Sequence, residues 1–136
     1  MNVNKKVLLL CSDNSSLSII AQAILTKYLS EIDFFSGATK KSKKIDANVI
    51  KSLSSHLLWR DEYNSKVYDQ NPDINYDLVI TLCDKSSKEC PKSLSKSTQI
   101  QIEYDVPTKN SLSEIEQIIK EMKMELIPIV RNELSE

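Results

Sequence analysis

Three cysteines have the placement that a thiol relay requires. Cys11 follows the apolar run 7–10, and Cys83 follows a second apolar run at 78–82. Cys90 comes seven residues after Cys83, beyond a polar stretch. A cysteine at a strand end, where a loop opens into a helix, can be exposed and electrostatically activated, whereas a cysteine buried in a core is usually inert. The placement therefore predicts chemistry that passes from one sulfur to the next.

Each of these residues also has a purely structural interpretation. Cys11 could be a small buried hydrophobic residue, because cysteines outside disulfides are often buried. Cys83 and Cys90 could be retained without being used. His56 is the only histidine, and no nearby Cys or acidic spacing suggests a metal site, so we predict none. Three aromatic residues are interpreted as lining of the core or of a groove: Trp59, Tyr63 and Tyr68.

Composition limits the classes to which the protein can belong. Its 136 residues, 40% of them hydrophobic, suffice for one domain with one core, which we place at residues 1–136. A formal net charge of -1 gives no electrostatic reason to expect binding to nucleic acid. No apolar stretch approaches the roughly 18 residues that a membrane helix needs. The N-terminal residues lack the features of a signal peptide, so we expect a cytoplasmic protein whose thiols stay reduced unless they cycle.

The apolar pattern predicts strands that alternate with helices. Four strands are expected, at residues 6–10, 32–35, 77–82 and 98–104. A helix is expected at about 16–30 from the spacing of its apolar residues. Asp46 can cap a second helix, and Ser111 with Glu114 makes a capping box for a last one. Pro128 predicts a kink or an interruption near the end of that last helix.

This alternation predicts an α/β fold of three layers. We expect a four-stranded parallel sheet with helices on both faces. Ligands bind such sheets at the carboxyl ends of the strands. Cys11 and Cys83 both follow a predicted strand, so we expect both thiols at the ligand-binding edge of the sheet.

Two segments carry a resemblance to a known family. Residues 7–18, with the sequence VLLLCSDNSSLS, resemble the phosphate loop of the low-molecular-weight tyrosine phosphatase fold. Residues 79–83, VITLC, together with Cys90 and Pro91, resemble the thioredoxin-coupled arsenate reductases built on that fold. The resemblance spans nearly the whole chain, and the second pair of cysteines favours the arsenate reductase branch over the phosphatases.

The resemblance implies a role for each cysteine. In the family, the first cysteine attacks the oxyanion, the second attacks the first and releases arsenite, and the third resolves the resulting disulfide. These roles fall on Cys11, Cys83 and Cys90. The implied partners are a small oxyanion as substrate and thioredoxin or a similar thiol reductant. No cofactor and no metal is expected.

The resemblance also implies a loop that binds the oxyanion, formed by Asn14, Ser15, Ser16 and Ser18. Backbone N–H groups of the loop and of the following helix would surround the oxygens. Asn14 and Ser18 match the positions that shape the loop and support the thiolate.

The chain departs from the family pattern at three working positions. The arginine that clamps the oxyanion is Leu17 here, a loop glycine is Asp13, and the general acid before proline is Val106. Leucine has neither the rigid fork nor the permanent charge of arginine, and we interpret Leu17 as core or pocket wall. Asp105 lies one position early, so we expect its side chain to point elsewhere.

Three functional hypotheses follow. The first is a divergent arsenate reductase-like thiol-disulfide enzyme that reduces arsenate or a related oxyanion through its three cysteines. The second is a non-catalytic relative that binds or senses As(III) or the thiol state, because convergent thiolates suit a soft ion. A tyrosine phosphatase is the least favoured, because Leu17 and Val106 remove two of its three working groups.

Overall fold

A computed structural model describes residues 4–12, 16–39, 41–68, 75–83, 97–104 and 111–134. These residues form four strands and three helices. In chain order they are β1 (Lys6–Cys11), α1 (Leu17–Tyr28), β2 (Asp33–Ala38), α2 (Ala47–Ser55), β3 (Leu78–Thr81), β4 (Thr98–Gln101) and α3 (Leu112–Leu134).

The strands form one parallel sheet in the order β2-β1-β3-β4. Leu10 of β1 pairs with Gly37 of β2 on one side and with Thr81 of β3 on the other. Because the strands are parallel, their carboxyl ends meet at one edge of the sheet. Cys11 ends an interior strand, so it lies within that edge rather than at its margin.

The two faces of the sheet have different neighbours. Along β1, Val7, Leu9 and Cys11 belong to one core cluster, and Leu8 and Leu10 belong to another, as the alternation of side chains along a strand requires. The first cluster also contains buried side chains of all three described helices. The second cluster includes three partly buried aromatic side chains: Phe35, Tyr68 and Tyr76.

Two helices start at the caps that the sequence predicts. The side chain of Asp46 accepts the N–H of Asn48 at 2.8 Å. Ser111 Oγ accepts the N–H of Glu114 at 3.2 Å, and the Glu114 carboxylate accepts the N–H of Ser111 at 3.2 Å. This reciprocal pair is a capping box, and caps of this kind typically contribute about 1 kcal/mol.

The predicted fold class is confirmed, with changes at some element ends. β2 extends to Ala38 because Ser36 and Gly37 continue the pairing with β1. β4 ends at Gln101, three residues before the predicted end. The helices that the structure describes all pack against one face, and a helix on the second face is not among the described residues.

α3 is not interrupted at Pro128, so of the two outcomes that the sequence predicts, a kink or an interruption, the interruption is wrong. Proline removes one backbone donor, yet the helix continues to Leu134. Leu126 and Val130, on either side of the proline, are both buried in the core, and this packing holds the last turns in place. None of the helices in the described part of the chain is long and apolar enough to cross a membrane.

A few anchors hold the stretch that follows α2. The rings of Trp59 and Tyr63 pack edge to face with centroids 5.7 Å apart. Val67 forms a single parallel bridge with Ala38 of β2. A side chain on Gly37 would lie 3.0 Å from the backbone of Tyr68, so glycine permits this close approach.

Candidate functional site

Cys11 ends β1 with its side chain on the helix-packed face. The residue is only 1% exposed and shares a cluster with Val7 and Leu9. Its carbonyl oxygen accepts the N–H of Thr39 at 3.0 Å. This bond fixes the chain that leaves β2 against the end of β1.

Cys83 lies two residues beyond β3 but is still held by the sheet. Leu82 donates its N–H to the carbonyl of Leu10 at 3.0 Å, and its own carbonyl accepts the N–H of Tyr104 at 3.0 Å. These bonds hold the peptide before Cys83 between β1 and the chain that follows β4. Cys83 is 6% exposed and lies in the same core cluster as Cys11.

The structure therefore brings Cys11 and Cys83 to neighbouring strand ends, on the same face of the sheet. Neighbouring strands lie about 4.8 Å apart. Both residues are buried, and neither is in a disulfide. Two sulfurs at one edge can exchange a disulfide or share a soft ligand.

The N-terminus of α1 follows Cys11 closely along the chain. Ser16 is the N-cap residue, and its carbonyl accepts the N–H of Ile20 at 2.9 Å. The Ser16 side chain makes no capping hydrogen bond, and Ser16 and Ser18 are both buried. The first N–H groups of a helix carry partial positive charge and favour anions. Two of the four predicted loop residues, Ser16 and Ser18, thus lie at the start of α1.

The amino-acid sequence matches the low molecular weight phosphotyrosine protein phosphatase family over residues 6–133. The chain belongs to this family. The resemblance expected from the residues around Cys11 and Cys83 is therefore confirmed at the family level.

Arsenate reductases are among the family members that the chain resembles. The arsenate reductase of Halalkalibacterium halodurans is 31% identical over 109 residues, which cover 79% of this chain and 78% of the relative. A relative with the same name from Bacillus cereus strain AH187 is 26% identical over 122 residues and covers 90% of this chain and 91% of the relative.

Solved structures of both chemical branches share the fold. A thioredoxin-dependent arsenate reductase from Corynebacterium glutamicum has a TM-score of 0.76 at 23% identity, covering 96% of this chain and 62% of that one. A low molecular weight phosphotyrosine phosphatase from Vibrio cholerae has a TM-score of 0.79 at 17% identity, covering 95% and 96%. The fold alone therefore does not distinguish an arsenate reductase from a phosphatase.

Leu17 is the residue at which the resemblance places the arginine clamp of the family. Its side chain is fully buried and belongs to the same core cluster as Cys11. This placement agrees with its interpretation as core or pocket wall. The start of α1 therefore presents an apolar side chain to the core instead of a guanidinium to an anion.

The other predicted site residues fall outside the described part of the chain. The roles predicted for them, in the oxyanion-binding loop, as the third thiol and in the altered acid segment, therefore stay predictions. They are Asp13, Asn14, Ser15, Cys90, Asp105 and Val106.

Tyr104 lies close to Cys83 along the sheet, and the sequence did not single it out. The residue is buried in the main core, and its hydroxyl has no hydrogen-bond partner among the described residues. Burial raises the pKa of Tyr104 well above the usual tyrosine value, and the negative charges of Glu125 and Glu121 raise it further. Alternation along a strand predicts which side chains point inward, but it does not reveal that a hydroxyl will be left without a partner.

His56 takes part in a contact between helices instead of the thiol site. It caps the end of α2, and its Nε2 lies 2.7 Å from Oε1 of Glu116 on α3. Such a partly exposed pair contributes at most about 1 kcal/mol. Within the described ranges, no group of three or more His, Cys, Asp or Glu side chains is arranged to hold a metal ion.

Proposed function

We propose that the chain is a divergent arsenate reductase-like thiol-disulfide enzyme that reduces arsenate or a related oxyanion through Cys11, Cys83 and Cys90. The observation that carries the proposal is the position of Cys11 and Cys83 at neighbouring strand ends on one face of the sheet. The arsenate reductases among the relatives support this branch of the family.

The first half of the proposed reaction uses the two described thiols. The Cys11 thiolate attacks As(V), and one oxygen of arsenate leaves as water. Cys83 then attacks the sulfur of Cys11. The sulfur–arsenic bond breaks, and its electron pair reduces arsenic to As(III), which departs as arsenite. Two thiols lose two electrons and two protons, and a Cys11–Cys83 disulfide forms.

Regeneration uses Cys90 and an external reductant. Cys90 attacks the sulfur of Cys83, which releases Cys11 as a thiol and leaves a Cys83–Cys90 disulfide. Thioredoxin or a similar dithiol protein reduces that pair. Sulfur exchange requires no general acid, so the replacement of the family aspartate by Val106 does not block these steps. Without an arginine clamp at Leu17, N–H groups alone bind the oxyanion. The loss of such a clamp typically lowers the rate by about 10²–10³.

A coupled assay tests this proposal. Consumption of NADPH through thioredoxin reductase and thioredoxin is followed with arsenate and, as the blank, without it. We expect arsenate-dependent turnover of the native chain and none for Cys11→Ser, Cys83→Ser or Cys90→Ser.

One variant separates the relay from a simpler thiol reaction. Cys90→Ser should complete a single turnover and accumulate a Cys11–Cys83 disulfide, which peptide mass mapping detects. Turnover of Cys83→Ser or Cys90→Ser at the native rate would exclude the three-cysteine relay.

A non-catalytic sensor of As(III) or of the thiol state is the second candidate. The burial of Leu17 at the clamp position favours it, because the described start of α1 supplies no guanidinium for an arsenate dianion. Two neighbouring thiols still suit a soft ion. Calorimetric titration with arsenite decides between the two functions. Binding that requires Cys11 and Cys83, together with no arsenate turnover, would favour the sensor.

A further inference from the structure

A basic segment leaves the sheet edge that holds the thiols. Thr39 donates its N–H to the Cys11 carbonyl at 3.0 Å, and the exposed residues Lys41, Lys43 and Lys44 follow along the chain. Because consecutive Cα atoms are about 3.8 Å apart, Lys41 lies within about 8 Å of Thr39 and Lys44 within about 19 Å. The net charge of the whole chain is -1, so this positive charge is a local feature.

An aromatic pocket lies beside the basic segment. A cavity of about 320 Å³ is lined by Lys43, Lys44, Trp59 and Tyr63, among other residues. The two rings pack edge to face, and Ile45, which is buried, also lines the cavity. Pockets built on tryptophan and tyrosine are where the binding energy of protein interfaces concentrates.

We propose that the three lysines and this pocket, together the basic-aromatic surface, dock the protein dithiol that reduces the chain. The reductant would present carboxylates to Lys41, Lys43 and Lys44 and an apolar side chain to the pocket. This inference rests on the proposed function, because it concerns the partner of the same thiols.

The size of a protein interface supports the placement. A stable contact covers about 800 Å² on each partner, which corresponds to a disc of roughly 16 Å radius. The reductant acts on the Cys83–Cys90 pair, and Cys83 follows β3, which lies two strands from β2, or about 10 Å at about 4.8 Å per strand. A footprint centred there therefore overlaps the chain that leaves Thr39. Lys41, within about 8 Å of Thr39, is the lysine of the basic segment that lies nearest to this footprint along the chain.

Electrostatics determines which reductants this surface favours. Complementary charge accelerates the encounter of two proteins and aligns them. The effect weakens as salt rises, because the Debye length falls from about 30 Å at 0.01 M to about 8 Å at 0.15 M ionic strength. A dithiol protein with carboxylates around its cysteines fits the surface, and one with a basic rim does not.

A binding titration tests the surface directly. The probe is an acidic thioredoxin whose second active-site cysteine is replaced by serine, and calorimetry measures its affinity for the full chain. Combining Lys41→Glu, Lys43→Glu and Lys44→Glu should weaken binding at least tenfold at low salt, and the difference should shrink as salt is raised.

A matched control carries the same change in net charge elsewhere. Lys27→Glu, Lys51→Glu and Lys120→Glu reverse three exposed lysines on the helices, and this variant should bind within twofold of the native chain. Equal weakening in both triple variants would show that net charge alone causes the weaker binding, and it would overturn the proposal. No binding of the probe to the native chain would also overturn it.

Two further measurements keep this proposal separate from the proposed function. Arsenate turnover with dithiothreitol should be unchanged in the triple variant of the basic segment, because a small dithiol needs no docking surface. If the native chain reduces no arsenate with either reductant, the proposed function fails. The titration still tests whether the basic-aromatic surface binds the thioredoxin probe. If that triple variant loses binding of a phosphotyrosine peptide and retains thioredoxin, the surface serves a phosphoprotein and the proposal is wrong.

Discussion

Leu57 holds a backbone conformation that leucine rarely adopts. Its φ of 61° lies in the left-handed region, directly after the cap of α2. The N–H of Leu57 bonds to Ser54 at 3.0 Å, and the N–H of Leu58 bonds to Leu53 at 2.8 Å, so the helix end is closed. Glycine is the usual residue at such a position. The side chain of Leu57 is 80% exposed, so little packing offsets the strain.

Leu57→Gly should therefore increase the free energy of unfolding by about 1 kcal/mol, because the left-handed conformation costs other residues about 1–2 kcal/mol and glycine little. Urea unfolding measures the change. Leu57→Ala is the control, because it retains a Cβ in the strained region and should gain little. An equal gain in the alanine variant would assign the effect to the exposed leucine side chain instead of the backbone.

Tyr104 places a hydroxyl in the core without a hydrogen-bond partner among the described residues. An unsatisfied buried polar group costs about 1–3 kcal/mol. Tyr104→Phe should therefore stabilise the protein by about 1 kcal/mol near pH 7, as measured by urea unfolding. The same measurement on Tyr28→Phe serves as the control, because Tyr28 is exposed and its hydroxyl is not confined to the core.

The stability of the native chain and that of Tyr104→Phe should also depend differently on pH in the alkaline range. Burial raises the pKa of folded Tyr104 above that of the unfolded chain, which is about 10. Above that pH the native state retains the proton longer than the unfolded state, so stability that is complete below about pH 10 declines as pH rises. Tyr104→Phe should lack this part of the decline, and a parallel decline in both proteins would contradict the assignment.

At the scale of elements, the apolar pattern predicts the type and order of the described strands and helices. β1 and β3 coincide with continuous apolar runs of buried residues. The residue types at Asp46 and Ser111 predict the helix caps that the structure shows. The ends that differ depend on contacts between elements. β2 reaches Ala38 by pairing with β1, and α3 continues past Pro128 because the core holds the turns on both sides of it.

The candidate site, like the secondary structure, was predictable where it depends on the local pattern and not where it depends on contacts between elements. Strand ends can be located from the sequence, so the meeting of Cys11 and Cys83 at one edge followed from the order of the elements. The bond from Thr39 to Cys11 and the buried hydroxyl of Tyr104 were not predictable. Both depend on how separate strands align, and no local pattern encodes that alignment.

The start of α1 allows a test of the missing clamp. Leu17 is fully buried, so Leu17→Arg should lower stability by about 2–4 kcal/mol when no anion is present. A guanidinium contact to a bound oxyanion should contribute about 1.5–3 kcal/mol, a ten- to hundredfold gain in affinity for phosphate or arsenate. Asp13→Gly should add to this gain, because it removes a negative charge from the loop.

Calorimetric titration with phosphate and urea unfolding with and without phosphate measure both effects. Leu17→Met is the control, because it preserves the apolar volume and adds no charge, so it should bind phosphate as the native chain does. No gain in the combined Leu17→Arg and Asp13→Gly variant would mean that the loop does not surround an anion. The sensor hypothesis would then become the stronger one.

At the scale of the whole molecule, one architecture serves two chemistries. The chain superposes on a thioredoxin-dependent arsenate reductase and on a phosphotyrosine phosphatase with similar scores. The choice between them therefore lies in a few side chains at the sheet edge and not in the sheet or its helices. The resemblance implies that two of the three groups used in phosphoester hydrolysis, the clamp and the general acid, are replaced here by Leu17 and Val106.

The protein should accordingly show negligible hydrolysis of p-nitrophenyl phosphate. Loss of the clamp at Leu17 costs about 10²–10³ in rate, and loss of the general acid at Val106 costs about 10²–10⁴, so the rate should fall at least about 10⁴-fold below that of an ordinary family member. Initial rates at saturating substrate measure this difference, and Cys11→Ser gives the background. A rate close to that of an active phosphatase would contradict the prediction, and it would mean that another group, such as Asp105 or a lysine, protonates the leaving oxygen.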